Sequence, residues 1–76
     1  MEEQQLKIWM KNFNKEMDNL QISYAAFFIQ NRIDCYYSLK LDEEHNNLIL
    51  EILDVNKLPN EIFHKITDAY LRLKPV

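Results

Sequence analysis

Few side chains in this sequence are suited to covalent chemistry. Cys35 is the one strong nucleophile, and a reactive thiolate needs a base or a positive field beside it. Neither His45 nor His64 lies near it in the chain. In Cys35-Tyr36-Tyr37-Ser38-Leu39 a strand's alternation puts Cys35 on the face of Tyr37 and Leu39, so a buried, inert thiol is expected. His45 ends the acidic run Asp42-Glu43-Glu44-His45, which offers oxygens and one imidazole without a spacing that defines a coordination geometry. It reads as a solvated turn. His64 falls on the polar side of a helix, and Ser23, Ser38 and Thr67 lack any motif context.

The chain contains no glycine. Phosphate loops, dinucleotide turns and nucleophile elbows need glycine where backbone approaches a ligand or takes a positive φ, so none is available in its usual form. The sequence therefore predicts a protein that is not an enzyme and holds no cofactor and no metal.

Charge is more informative. Twelve Asp and Glu face nine Lys and Arg, a formal net charge of −3. Between Leu41 and Asn56 lie Asp42, Glu43, Glu44, Glu51 and Asp54, with no Lys or Arg. If Asp42, Glu43 and Glu44 project from a hairpin tip they form a negative prong that steers the chain towards a basic site. Lys7, Lys11 and Lys15 make a basic stripe that would suit phosphates. Asp18 and the opening Glu2-Glu3 interrupt it, which leaves nucleic-acid binding as the alternative reading and a solvated helix face as the simpler one.

The elements that would position these groups follow from periodicity. Leu6, Trp9, Met10, Phe13, Met17 and Leu20 share one stripe of a helix over residues 2–18, which Asp18-Asn19 is expected to end. Gln21 to Gln30, rich in Ile, Tyr and Phe, reads as a strand. The rhythm Leu6, Met10, Phe13, Met17, Leu20, Tyr24, Phe27 fits a continued helix instead. A hairpin follows, with Leu41 opposite Leu48, Leu39 opposite Leu50 and Tyr37 opposite Ile52 on one face. Tyr36 with Leu53, Ser38 with Glu51, and Lys40 with Ile49 fall on the other. Asn46-Asn47 supply the turn. A final helix starts near Pro59 and runs to about Leu73, burying Ile62, Phe63, Ile66, Ala69, Tyr70 and Leu73.

The expected fold is thus α+β, one small two-layer domain over residues 1–76: an N-terminal helix, a three-stranded antiparallel sheet and a C-terminal helix on one of its faces. Double-stranded RNA-binding domains share this order, but their last helix opens with a basic cluster where this one opens Pro59-Asn60-Glu61, and no family is assigned.

The chain is 47% hydrophobic, more than a small core easily hides. Phe27 and Phe28 would point to opposite faces of a strand, so one of them would join Tyr36, Ile49 and Leu53 on the outer sheet face as an apolar contact surface. The partner-binding residues expected on this basis are Phe27, Tyr36, Ile49 and Leu53, with Asp42, Glu43 and Glu44 on the hairpin. The expected function is that of a small acidic binding protein acting by protein–protein contact: a stoichiometric inhibitor of immunity or phage anti-defence type, or a structural subunit, with a homodimer expected. The lone cysteine, an acidic opening and the lack of a long apolar run lead to the expectation of a cytoplasmic protein with no membrane partner.

Overall fold

The computed structural model describes residues 2–75. Five elements and a 3-10 turn follow in order: α1 (Glu3–Ser23), α2 (Ala25–Gln30), β1 (Tyr37–Asp42), β2 (Asn47–Ile52), the turn Val55–Lys57, and α3 (Asn60–Arg72). The architecture is α+β, and β1 and β2 form a two-stranded antiparallel sheet.

Helix α1 buries Leu6, Trp9, Phe13, Met17 and Leu20, a stripe spaced three and four residues apart as a helix facing a core requires. Its N-terminus is closed by the Gln5 side chain, which accepts a hydrogen bond from the Glu2 amide at 3.2 Å. Helix α3 buries Ile62, Ile66 and Ala69, with Glu61 in the first turn and Arg72 in the last, both signs suited to the helix dipole.

Residues 21–30 correct the expected third strand. The helix passes through Asp18-Asn19 and runs to Ser23, breaks at Tyr24 (φ −116°, ψ 29°), and resumes as α2. Aromatic and β-branched residues favour strands only by about 1 kcal/mol across the whole scale, and context reverses it. The context here is Phe28, eight residues beyond Leu20, which buries its ring in the core from a helix. A helix also satisfies its own amides, whereas a third strand would have needed a sheet edge.

Helix α2 ends in a Schellman motif. The Ile33 amide donates to the Phe28 carbonyl at 3.0 Å and the Arg32 amide to the Ile29 carbonyl at 3.2 Å. Arg32 takes the left-handed position at φ 54°, where glycine is the usual occupant, and Phe28 and Ile33 are both buried beside it.

The hairpin register agrees with the pairing read from the sequence for Tyr37 with Ile52, Ser38 with Glu51, Leu39 with Leu50, Lys40 with Ile49 and Leu41 with Leu48; the ladder extends one pair further, to Asp42 with Asn47, and the expected pair of Tyr36 with Leu53 lies outside it. Tyr37, Leu39, Leu41, Leu48, Leu50 and Ile52 pack against the helices. Asn46 supplies the left-handed residue of the loop, at φ 50°.

The alternation fails just before β1. Tyr36 was expected on the outer face, but its side chain is 2% exposed. Its ring stacks on Phe28 at 4.7 Å and its hydroxyl donates to the Met17 carbonyl. Cys35, expected to be buried within a strand, is exposed and precedes it, its Sγ hydrogen-bonded to the Tyr37 carbonyl at 3.3 Å. Period-two reasoning holds only where a strand is regular, and regular pairing starts at Tyr37.

Two clusters make up the core. One gathers Phe13, Met17, Leu20, Phe28, Ile33, Tyr36, Leu58, Ile62, Ile66 and Ala69; the other centres on Leu6, Trp9 and Leu48. Leu39, Tyr70 and Leu73 pack against both. Trp9 and Tyr70 tie the layers: Trp9 Nε1 donates to the Tyr70 carbonyl at 3.0 Å, and the Tyr70 hydroxyl donates to the Leu48 carbonyl at 2.6 Å.

Candidate interaction surface

The residues expected to form one outer apolar face are not brought together. Beyond the buried Tyr36, Phe27 is half-buried against the main core and its ring meets Phe28 at 5.7 Å. Leu53 is half-buried and its amide donates to the Tyr36 carbonyl at 3.0 Å. Ile49 is half exposed, but its neighbours on the outer face of the hairpin are Ser38, Lys40 and Glu51. That face is polar with one isoleucine on it, because the loss of the third strand removed the aromatic contribution.

The hairpin tip divides its acids between two tasks. Glu43 and Glu44 are exposed. Asp42 is instead a structural residue: its Oδ1 accepts from the His45 amide at 3.4 Å and its Oδ2 lies 2.8 Å from His45 Nδ1. The hydrogen bond from the His45 side chain holds the Asp42 carboxyl below its ordinary range, helped by the His45 backbone amide. His45 itself is exposed, as a turn residue should be.

On α1, Lys7, Lys11 and Lys15 line an open surface depression with Met10 and Asn14, bounded by Asp18. Glu3 lies 3.5 Å from Lys7, one helical turn away. His64 is exposed on α3, and its ring edge meets Phe63. Among the described residues no group of three or more His, Cys, Asp or Glu side chains is placed to hold a metal ion. No helix is long and apolar enough to cross a membrane.

The feature that sequence reading missed lies on the back of the first two helices. Ile22 is 74% exposed and Ile29 76% exposed, more than any other large apolar side chain among the described residues. Ala25 and Ala26, also exposed, lie between them. Asp18, Gln21, Ile22 and Ala25 border one depression, and Gln21, Ala25, Phe28, Ile29, Arg32, Ile33 and Asp34 border an adjoining groove of about 510 Å³. Because Gln21 and Ala25 belong to both, the two form a continuous trough with an isoleucine towards each end. Ile33 and Phe28 are buried where they reach it; Asp18, Arg32 and Asp34 stand exposed at its rim. A signal for this was present. At 100° per residue Ile22 and Ile29 lie opposite the stripe of Leu20, and only a helical reading of residues 21–30 puts them on one side.

Comparison of the chain with protein-family models, with curated proteins and with solved structures finds no match.

Proposed function

We propose that the chain is a non-enzymatic binding protein that acts by contact with protein, through the ridge formed by Ile22, Ala25, Ala26 and Ile29. The observation that carries this reading is the pair of isoleucines, each about three-quarters exposed, one near the end of α1 and one in α2. Leaving them in water forgoes about 1.5–3 kcal/mol of burial for each, and contiguous exposed apolar surface marks contact sites. Small alanines between the two let another backbone approach closely.

The exposed Glu43 and Glu44 supply a second, electrostatic contribution. A negative tip on a chain of net charge −3 accelerates encounter with a basic partner. A small acidic chain that presents a fixed apolar ridge has the build of a stoichiometric inhibitor, of the immunity or phage anti-defence type, acting in the cytoplasm. The reading moves the contact from the sheet, whose outer face is polar, to the helices.

Affinity capture from host extract, with mass spectrometry, tests it against the double variant Ile22→Asp, Ile29→Asp. A partner recovered in near-equal amount with the native chain and absent with the variant is expected. A partner retained equally by both removes the ridge from the interface.

A further inference from the structure

We infer that the outer edge of β1 takes up an extended acidic segment of another protein as a third strand, at a site separate from the isoleucine ridge. In an antiparallel ladder alternate residues turn their amides and carbonyls to the partner strand. The Leu53 amide donates to the Tyr36 carbonyl at 3.0 Å, one step beyond the ladder and in its register, so Tyr36, Ser38 and Lys40 face β2. Tyr37, Leu39 and Leu41 therefore point their amides and carbonyls away from it. Of these groups, only the Tyr37 carbonyl has a partner among the described residues, the Cys35 thiol at 3.3 Å. Such a row of unpaired backbone groups is a template for a further strand.

The edge of β2 is obstructed. Leu48, Leu50 and Ile52 turn away from β1 in the same manner, but the Leu48 carbonyl accepts from the Tyr70 hydroxyl at 2.6 Å, which sets α3 against that edge. Among the described residues no helix side chain reaches the backbone of β1 in this way. Leu39 and Leu41 pack on the helices from one side and are still only half-buried.

Charge selects the occupant. The Tyr37 hydroxyl donates to Asn14 Oδ1 at 2.8 Å, so β1 runs beside the depression that Asn14 lines with Lys7, Met10, Lys11, Lys15 and Asp18. A third strand would lay its helix-side residues towards this flank of α1 and its outer residues beside Ser38 and the exposed Lys40. Four acids lie near. Glu3 pairs with Lys7 at 3.5 Å, Asp18 borders the depression, Asp42 is held by His45, and Glu51 lies across from Ser38 on β2. Lys11, Lys15 and Lys40 form no ion pair among the described residues. The same lysines disfavour a second copy, because pairing β1 with β1 about a twofold would bring two basic flanks together. An extended acidic segment satisfies both the backbone and the charge.

A synthetic peptide that alternates valine and glutamate, titrated to about 2 mM against the isotopically labelled full chain, tests this by amide hydrogen exchange. The amides of Tyr37, Leu39 and Leu41 should exchange freely in the chain alone and slow at least tenfold in the complex. N-methylation of one alternate set of peptide residues should abolish binding and that of the other set should leave it, since only alternate amides face an edge. Lys11→Glu with Lys40→Glu, both at exposed positions, should keep the native melt, weaken this peptide at least tenfold and bind a valine–lysine peptide instead. Absence of binding at the highest concentration overturns the inference. So does protection at Leu50 and Ile52 in place of Leu39 and Leu41, or equal binding of both N-methylated forms. Protection of Leu39 and Leu41 that appears in the chain alone and grows with its concentration gives the edge to a second copy, and also overturns it. The double variant Ile22→Asp, Ile29→Asp should bind the peptide as the native chain does, so the edge and the ridge stand or fall separately.

Discussion

The four tyrosines show how much single side chains decide in this protein. Each hydroxyl donates to a named partner: Tyr24 to Glu61, Tyr36 to the Met17 carbonyl, Tyr37 to Asn14, and Tyr70 to the Leu48 carbonyl. Each bond links elements distant in sequence. Burial pushes the Tyr36 hydroxyl well above its ordinary value of 10.0, with the nearby Tyr37 and Asp18 acting in the same direction. A folded pKa raised in this way gives stability that is complete below about pH 10 and lost as pH rises towards the folded value. The native chain should therefore melt at progressively lower temperature as the pH is raised above about 10. Tyr36→Phe should lose about 1 kcal/mol at neutral pH with the hydrogen bond, and show a flatter alkaline dependence. An unchanged alkaline slope would place the titrating group elsewhere.

Cys35 gives a second residue-scale expectation. The thiol is exposed, so a disulfide reagent should modify it in the native protein at a rate close to that of the unfolded chain. Protection by a large factor would return it to the core. The hairpin acids divide likewise. Glu43→Gln with Glu44→Gln should slow association with a basic partner and leave the melt unchanged, whereas Asp42→Ala should loosen the turn it fixes through His45.

At the scale of elements, the absence of glycine leaves its mark where the chain must turn. Arg32, Asn46 and Asp54 take φ values of 54°, 50° and 51°. Asn and Asp tolerate this region through local hydrogen bonding; Arg has no such help. Arg32→Gly should stabilise the fold by about 0.5–1 kcal/mol, read by chemical denaturation, because it relieves the Schellman position of α2. Destabilisation would mean that the Arg32 side chain contributes more to the folded chain than its backbone costs.

For the whole molecule, the two core clusters share Leu39, Tyr70 and Leu73 and should unfold together. The single tryptophan, Trp9, is fully buried and reports on one cluster, while circular dichroism reports on all helices. The two denaturation curves should coincide, as two-state unfolding requires. Trp9→Ala removes that side chain and its bond to Tyr70, a loss of about 3–5 kcal/mol that a domain this small should not survive.

The sequence by itself determined the hairpin register, the buried stripe of α1 and the buried side of α3. These rest on strict periodicities of two and 3.6 residues, and on a pairing in which a one-residue slip would expose Tyr37, Leu39, Leu48 and Leu50 together. Only the tertiary structure decided residues 21–36. There the helix and strand readings of Tyr24, Phe27 and Phe28 differ by less energy than one buried ring, so the seat of Phe28 beside Tyr36 and Ile33 settles the matter. That choice turns Tyr36 inward, leaves Cys35 in solvent and brings Ile22 and Ile29 onto one ridge. The surface offered to a partner is consequently set by contacts made on the opposite side of the same helices, which no local pattern records.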